Sequence, residues 1–444
     1  MGDYMKKAIS RMLFVLFFGF AVALFAACFM LVLSNIKSSS DTGDLAGVPI
    51  NIEDENESSY SRIDELSLSQ ADQTEEISVN YGYDCLSDSN QRYLYHQMEE
   101  KVYHISNESD VNGNYKTERI TVKDVEMSED AIRAALNAFV FDNPQIFWLN
   151  NIFGYTNLDG STYVECYSVL PADECSRKIE VFTTEIEKLT ENMDSALSDY
   201  DKEKLLHDRL LEKCSYKDGV YSMDHGWQYF SAYGAVVEGE CVCEGYAKAM
   251  QILLKSCGIT SCTIRGVADG INHMWNVVLL DGKWYHLDPT WDDNEETISY
   301  EYFNVTTEDV SFNHSISNTL DQSETGGYED NANFFVPDCV SEDMNYYTVE
   351  GVTFDSVSDE SFNMMVDYIT GRVNSGEHYI AIKVGPNLSF RDCVREMFED
   401  PNNSFFRYVD KANESLDEDH QIQHKGVKIL KNEDRKTIRL RINY

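Results

Sequence analysis

A thiol, an imidazole and a carboxylate occur in that order within one short stretch of this chain. They are Cys243 in GECVCEGYAKAM, His273 in INHMWN and Asp288 in WYHLDPTWDD. A thiol alone is a poor acyl-transfer catalyst, because it needs a base to form the thiolate and a carboxylate to hold that base in the right tautomer. The pattern predicts cysteine-dependent acyl transfer with Cys243 as nucleophile, His273 as base and Asp288 as orienting group. A lone cysteine is more often a buried structural thiol, and a lone strand histidine is more often packed or simply exposed. The local contexts of the three residues reverse those odds.

The elements that must position them can be read from spacing. Ala247, Ala249, Met250, Leu253 and Leu254 recur at helical intervals, so Cys243 falls at or just before a first helical turn. Unpaired N–H groups and the positive end of the helix dipole favour a thiolate there. Gly245 and Ala247 are small enough for close approach, and Cys241 in the preceding loop is the weaker nucleophile. Asp281-Gly282 lies between two apolar runs, a strong hairpin signal. A two-residue turn there makes Leu280 face Lys283. His273 then falls opposite Thr290 and diagonal to Asp288, on one face of the hairpin. Trp275 shares that parity and is a candidate wall of a substrate site, though it fits a core aromatic equally well. Pro289 should end the ladder, while Asp292 and Asp293 are expected in solvent, with Asp292 able to ligate a cation. His207 and His286 rank below His273 as bases. The Cys243 backbone N–H is the first candidate oxyanion donor, with Gln228 or Tyr233 as the second.

These motifs in combination resemble the transglutaminase-like (papain-like) core of bacterial and archaeal surface proteins, over about residues 200–315. The resemblance implies the same roles for Cys243, His273 and Asp288, and an α+β fold with the cysteine helix packed on the sheet that bears the other two. It implies a thioester intermediate resolved by water or by an amine. Hydrolysis of peptide or carboxamide bonds is the preferred expectation. Protein crosslinking by transamidation is one alternative, and a non-catalytic surface adhesion or scaffold protein is another. The CxxC zinc pairs common in the glycanase branch are missing from the sequence. No nucleotide, haem or metal motif is present either, so no cofactor is expected.

Length and composition set the frame. The 444 residues exceed one ordinary core, and 77 Asp plus Glu against 36 Lys plus Arg give a formal charge of -41. Such a surface repels nucleic acid and anionic headgroups. Residues 1–11 read as a cytoplasmic tail carrying Lys6, Lys7 and Arg11, and residues 12–34 as one transmembrane helix. The basic flank places the body of the protein outside the cell membrane. Secretion or lipid anchoring at Cys28 is the alternative. Residues 35–80 read as an acidic flexible linker, 81–193 as an α+β accessory domain and 194–316 as the catalytic domain. Residues 317–340 read as a linker and 341–444 as a small C-terminal α+β domain. The expected partner is a protein or cell-wall peptide substrate. With Cys243 kept free, nine other cysteines beyond Cys28 remain, an odd number that cannot all pair within the chain.

Overall fold

The computed structural model describes residues 46–50, 60–65, 80–194, 196–220, 222–223, 226–294, 298–316, 333–356, 358–399 and 404–444. The expected transmembrane segment at 12–34 lies outside them, as does Cys28. Among the described residues no helix is long and apolar enough to cross a membrane.

Polar caps start the N-terminal helices. Asp88 accepts the N–H groups of Asn90 and Gln91 at the head of the helix Ser89–Lys101, and Ser128 caps Glu129–Asp142. A third helix, Ala172–Leu189, follows Pro171. These helices accompany a seven-stranded sheet built from β1 (Ala46–Pro49), β2 (Tyr60–Arg62), β3 (His104–Ser109), β4 (Tyr115–Thr117), β5 (Ile120–Val122), β6 (Leu149–Leu158) and β7 (Ser161–Ser168). The strand order is β1-β6-β7-β4-β3-β2, with β5 also on β7. The expectation of a featureless linker over 35–80 is corrected at two points. β1 pairs parallel with β6, and β2 pairs antiparallel with β3. Edge pairing uses backbone groups that every residue carries, so polar composition concealed it.

The segment expected to be catalytic opens with α1 (Asp199–Lys213), capped by the Ser198 hydroxyl on the Asp201 N–H. A short parallel pair follows, β8 (Ser215–Tyr216) with β9 (Glu240–Cys241), and then α2 (Cys243–Ser256). The sheet behind α2 has the order β12-β11-β10-β13, from β10 (Ser261–Ala268), β11 (Ile271–Leu280), β12 (Lys283–Leu287) and β13 (His314–Ile316). Asp281 and Gly282 both take positive φ, 47° and 73°, as a type I′ turn requires. Leu280 therefore faces Lys283, and the ladder runs on to Asn276 opposite Leu287.

Packing crosses the expected boundary at 193/194 without a break. One apolar core runs from Leu94, Phe139 and Trp148 through Phe182 to Leu206, Leu253 and Tyr285. Phe147 and Phe182 of the N-terminal part meet Tyr233 of the catalytic part, with ring centroids 4.9 and 6.2 Å apart. The linker expected over 317–340 is also corrected in its described portion. The Asn333 side chain bonds both the N–H and the carbonyl of Arg265, Phe335 stacks on Tyr81 at 4.0 Å, and Cys339 is buried beside Trp275. The polar run before Asn333 masked the apolar anchors that follow it.

The C-terminal region forms a second core under a sheet of order β14-β15-β17-β16, from β14 (Val352–Phe354), β15 (Tyr379–Val384), β16 (Lys428–Asn432) and β17 (Thr437–Arg441). A helical turn, Tyr346–Val349, precedes β14. Asn345 caps the turn, and Tyr346 stacks on Tyr300. The helix Ser404–Asn413 was not expected, although Phe405, Tyr408, Val409 and Ala412 bury one face at helical spacing. Arg439 is buried between the rings of Tyr300 and Tyr379 at 4.9 and 4.1 Å. Thr437 and Asn432 also bond Glu301, so β16 and β17 dock onto the segment that follows Asp288.

Candidate active site

Cys243 is the first residue of α2, after the extended N-cap Val242. Its N–H precedes the first intrahelical bond and so has no acceptor within the helix. The strand leading in is held by the Val242 N–H on the Tyr229 carbonyl, 3.0 Å away. Gly245 admits the Cys241 side chain, which a Cβ at that position would meet at 2.5 Å. The helix is fastened to the sheet behind it by Asn276 Nδ2 on the Ala247 carbonyl at 2.9 Å. These contacts fix where the thiol stands relative to β11.

His273, near the start of β11, lies close enough to Cys243 for the thiol to help raise its pKa. Its Nε2 is 2.6 Å from Asp288 Oδ2. An ionised carboxylate only accepts, so Nε2 carries the proton and Nδ1 is left for the sulfur. Burial alone would discharge the imidazolium. The Asp288 carboxylate, assisted by the thiol, more than reverses this and pushes the His273 pKa up to about 10. Asp288 is buried, and burial works to raise its pKa. His273 and His314 outweigh that and hold it well below the usual carboxylate range.

Asp288 is held from every side. Its Oδ1 accepts the N–H groups of Thr290 and Trp291 at 3.0 and 3.2 Å, capping the turn Pro289–Asp292. Pro289 is the first residue of that turn, where its missing N–H costs nothing. Oδ2 receives His314 Nε2 at 3.0 Å in addition to His273. His314 lies on β13 and was not identified from sequence. It sits 26 residues beyond Asp288 on a three-residue edge strand, and no local pattern marks it. Gly266 on β10 lets β13 come this close, because a Cβ there would lie 2.2 Å from the Ser315 carbonyl.

His314→Gln is expected to lower kcat about 10- to 100-fold with little change in KM, since a hydrogen bond to a charged group contributes about 1.5–3 kcal/mol. Steady-state kinetics on the folded variant check this, and an unchanged kcat would remove His314 from the positioning role.

The other sequence candidates have different places. Trp275, expected as a wall of the substrate site, is 0 % exposed and is corrected to a buried support. Its ring stacks on His273 at 5.8 Å, and its N–H donates to His286 Nδ1 at 3.1 Å. Trp275 shares the face of His273 two residues along β11, and the packing around it covers it completely. Burial lowers the His286 pKa to about 4, which suits an uncharged acceptor. His207 is wholly buried. Desolvation opposes its charge, but Asp208 and Asp292 raise its pKa to about 9. Asp292, expected in solvent, is buried. It accepts the Tyr302 N–H and faces His207 at 3.4 Å. Asp293 is bonded to the Tyr246 hydroxyl. Tyr233 belongs to the aromatic core, with its hydroxyl accepting from Lys178 Nζ at 3.4 Å. Gln228 lies on the helical turn Trp227–Phe230, adjacent to the strand that leads to Cys243.

One ligand atom from each of His273, Asp288 and His314 lies within 4.8 Å of the others, a set able to hold a metal ion. The 2.6 and 3.0 Å contacts are hydrogen bonds, and a metal there would displace the His273 proton from Asp288. The chemistry the arrangement supports directly is proton transfer between a thiol and a charge-stabilised imidazole.

Residues 187–289 match the family model described as the transglutaminase-like superfamily. No curated protein matches. Among solved structures, one described as a TGase aligns at 15% identity over 55% of this chain and 68% of its own, with a TM-score of 0.23. A candidate protease from Parabacteroides distasonis aligns at 11% identity over 31% and 39%, with a TM-score of 0.21. A candidate cysteine protease from Cytophaga hutchinsonii aligns at 11% identity over 42% and 70%, with a TM-score of 0.20. At these scores the structural likenesses carry none of the argument.

Proposed function

We propose that this chain, whose residues 187–289 match the transglutaminase-like superfamily, is a cysteine-dependent acyl-transfer enzyme that hydrolyses peptide or carboxamide bonds. The observation that carries the reading is the His273 ring bonded to Asp288 Oδ2 at 2.6 Å, with the Cys243 thiol among the groups that raise its pKa. The Cys243 thiolate, paired with protonated His273, attacks the substrate carbonyl. The tetrahedral oxyanion takes the Cys243 N–H at the head of α2. His273 then protonates the departing amine, leaving a thioester on Cys243 that water resolves. Asp288 holds the ring through Nε2 throughout, and His314 holds Asp288.

Other thiols are poor competitors for this role. Burial pushes Cys166, Cys339 and Cys393 up to about 12, whereas Cys243 is partly exposed. Iodoacetamide labelling of the reduced full-length protein with peptide mapping tests the reading. Cys243 should alkylate ahead of every other described cysteine, and His273→Ala should slow it. A Cys243 that stays unlabelled while buried thiols react would sink the proposal. A labelled primary amine added with a peptide substrate tests the hydrolytic mode. Release of free acid with no amine incorporated into protein is expected, and incorporation would move the assignment to transamidation.

The proposal includes place and partner. The N-terminal segment 12–34 anchors the chain in the cell membrane with residues 35–444 outside, facing protein or cell-wall peptide substrates. Support for this comes from the apolar run and its basic flank.

A further inference from the structure

Immediately before the nucleophile lies a pair of thiols that the acyl-transfer chemistry does not use. Cys214 caps the C-terminal end of α1, and Cys241 ends β9, two residues before Cys243. Their sulfurs are 3.5 Å apart, and both residues are buried. The backbone around them is already paired. Ser215 N–H bonds the Gly239 carbonyl at 3.0 Å and Lys217 N–H bonds the Cys241 carbonyl at 2.9 Å, so the two chains are held side by side. A disulfide needs its sulfurs about 2.05 Å apart. The pair is therefore within about 1.5 Å of bonding distance, which side-chain rotation can supply.

We propose that Cys214 and Cys241 form a disulfide that ties the end of α1 to the segment leading into Cys243. The oxidant is a small-molecule disulfide of the glutathione type. One protein thiolate attacks it, forming a mixed disulfide and releasing one thiolate. The second protein thiolate then displaces the other half. Two protein thiols are oxidised, one external disulfide is reduced to two thiols, and the protein loses two hydrogens. Opening of the short β8–β9 pair gives the oxidant access. The crosslink closes the loop between residues 214 and 241 and removes freedom from the unfolded chain. Gly245 links it to the active site, because the Cys241 side chain lies against the first turn of α2, where a Cβ would come within 2.7 Å of its sulfur. The disulfide thus fixes the floor beneath the nucleophile and leaves Cys243 itself free.

The test is oxidation of the reduced full-length protein with excess oxidised glutathione, followed by acid quench, denaturing alkylation and non-reducing peptide mapping. A peptide pair joined through Cys214 and Cys241, two hydrogens lighter than the sum of its parts, is expected. The oxidised protein should melt several degrees above the reduced one, and Cys214→Ser should abolish that difference. Recovery of both residues as alkylated thiols would overturn the inference, as would a Cys241–Cys243 bond. Iodoacetamide labelling of Cys243 in the same oxidised sample reads the catalytic proposal separately. An intact crosslink with an inert Cys243 would refute the enzyme and leave the disulfide standing.

Discussion

Asp288→Asn is expected to lower kcat by about 10⁴-fold while leaving Cys243 and its helix in place, because the neutral amide no longer fixes the working tautomer of the base. The carboxylate accepts from His273 and His314 and from two backbone N–H groups. An asparagine can present one oxygen to either set, and its NH₂ must face the other. Presenting Oδ1 to the backbone turns a donor toward two imidazoles, and His273 loses both its orientation and its counter-charge. Burial then acts on that ring with only the Cys243 thiol left to oppose it. The sign of the pH effect follows. In the parent protein the raised His273 pKa contributes stability that is complete below the ordinary histidine pKa, about 6.5, and lost as pH rises through about 10. The alkaline limb of kcat/KM should lie near that upper value and fall by several pH units in Asp288→Asn. A pH-rate profile of both proteins measures this directly. A variant with parent-like kcat and an unmoved alkaline limb would remove Asp288 from the mechanism.

Cys243→Ala is expected to abolish turnover, by about 10⁴-fold or more, with a melting temperature close to that of the parent. The side chain removed is small and partly exposed at a helix terminus. No buried cavity opens, and the change in stability should stay near or below about 1 kcal/mol. The folded, inactive variant should still bind substrate, so KM-type saturation can be followed as binding while product release stops. The same variant separates an enzyme from an adhesion or scaffold module, whose biological activity would survive the change. Turnover persisting in Cys243→Ala would transfer the nucleophile elsewhere. Cys241 is the thiol to examine next, although its burial, the neighbouring Cys214 thiol and nearby negative charge all disfavour its thiolate.

The three candidate residues could be placed from the sequence because their geometry is local. Helical spacing after Cys243 placed the thiol on a first turn, and the Asp281-Gly282 turn carried His273 and Asp288 to one face by the period of a strand. The observed register agrees with that arithmetic as far as the ladder runs, from Leu280 opposite Lys283 to Asn276 opposite Leu287. Trp275 was ambiguous for the same reason. Parity assigns a face but does not say which layer covers it, and tertiary packing covered this one completely. Asp292 misled because a charged residue beside a polar run looks solvated, whereas the Tyr302 backbone and His207 meet it in the interior.

What the amino-acid sequence determined by itself is therefore the short-range part: the candidate nucleophile at the head of its helix and the hairpin that aligns base and carboxylate. Only the tertiary structure decided the long-range part. It brought His314 from an edge strand onto Asp288 and joined the N-terminal sheet to the catalytic core. It also set Cys214 against Cys241 and docked Arg439 between two tyrosines. The physical reason is that periodicity and turn chemistry act within about ten residues, while these contacts close loops of tens of residues. Which distant groups meet is settled by the packing of whole elements against one another.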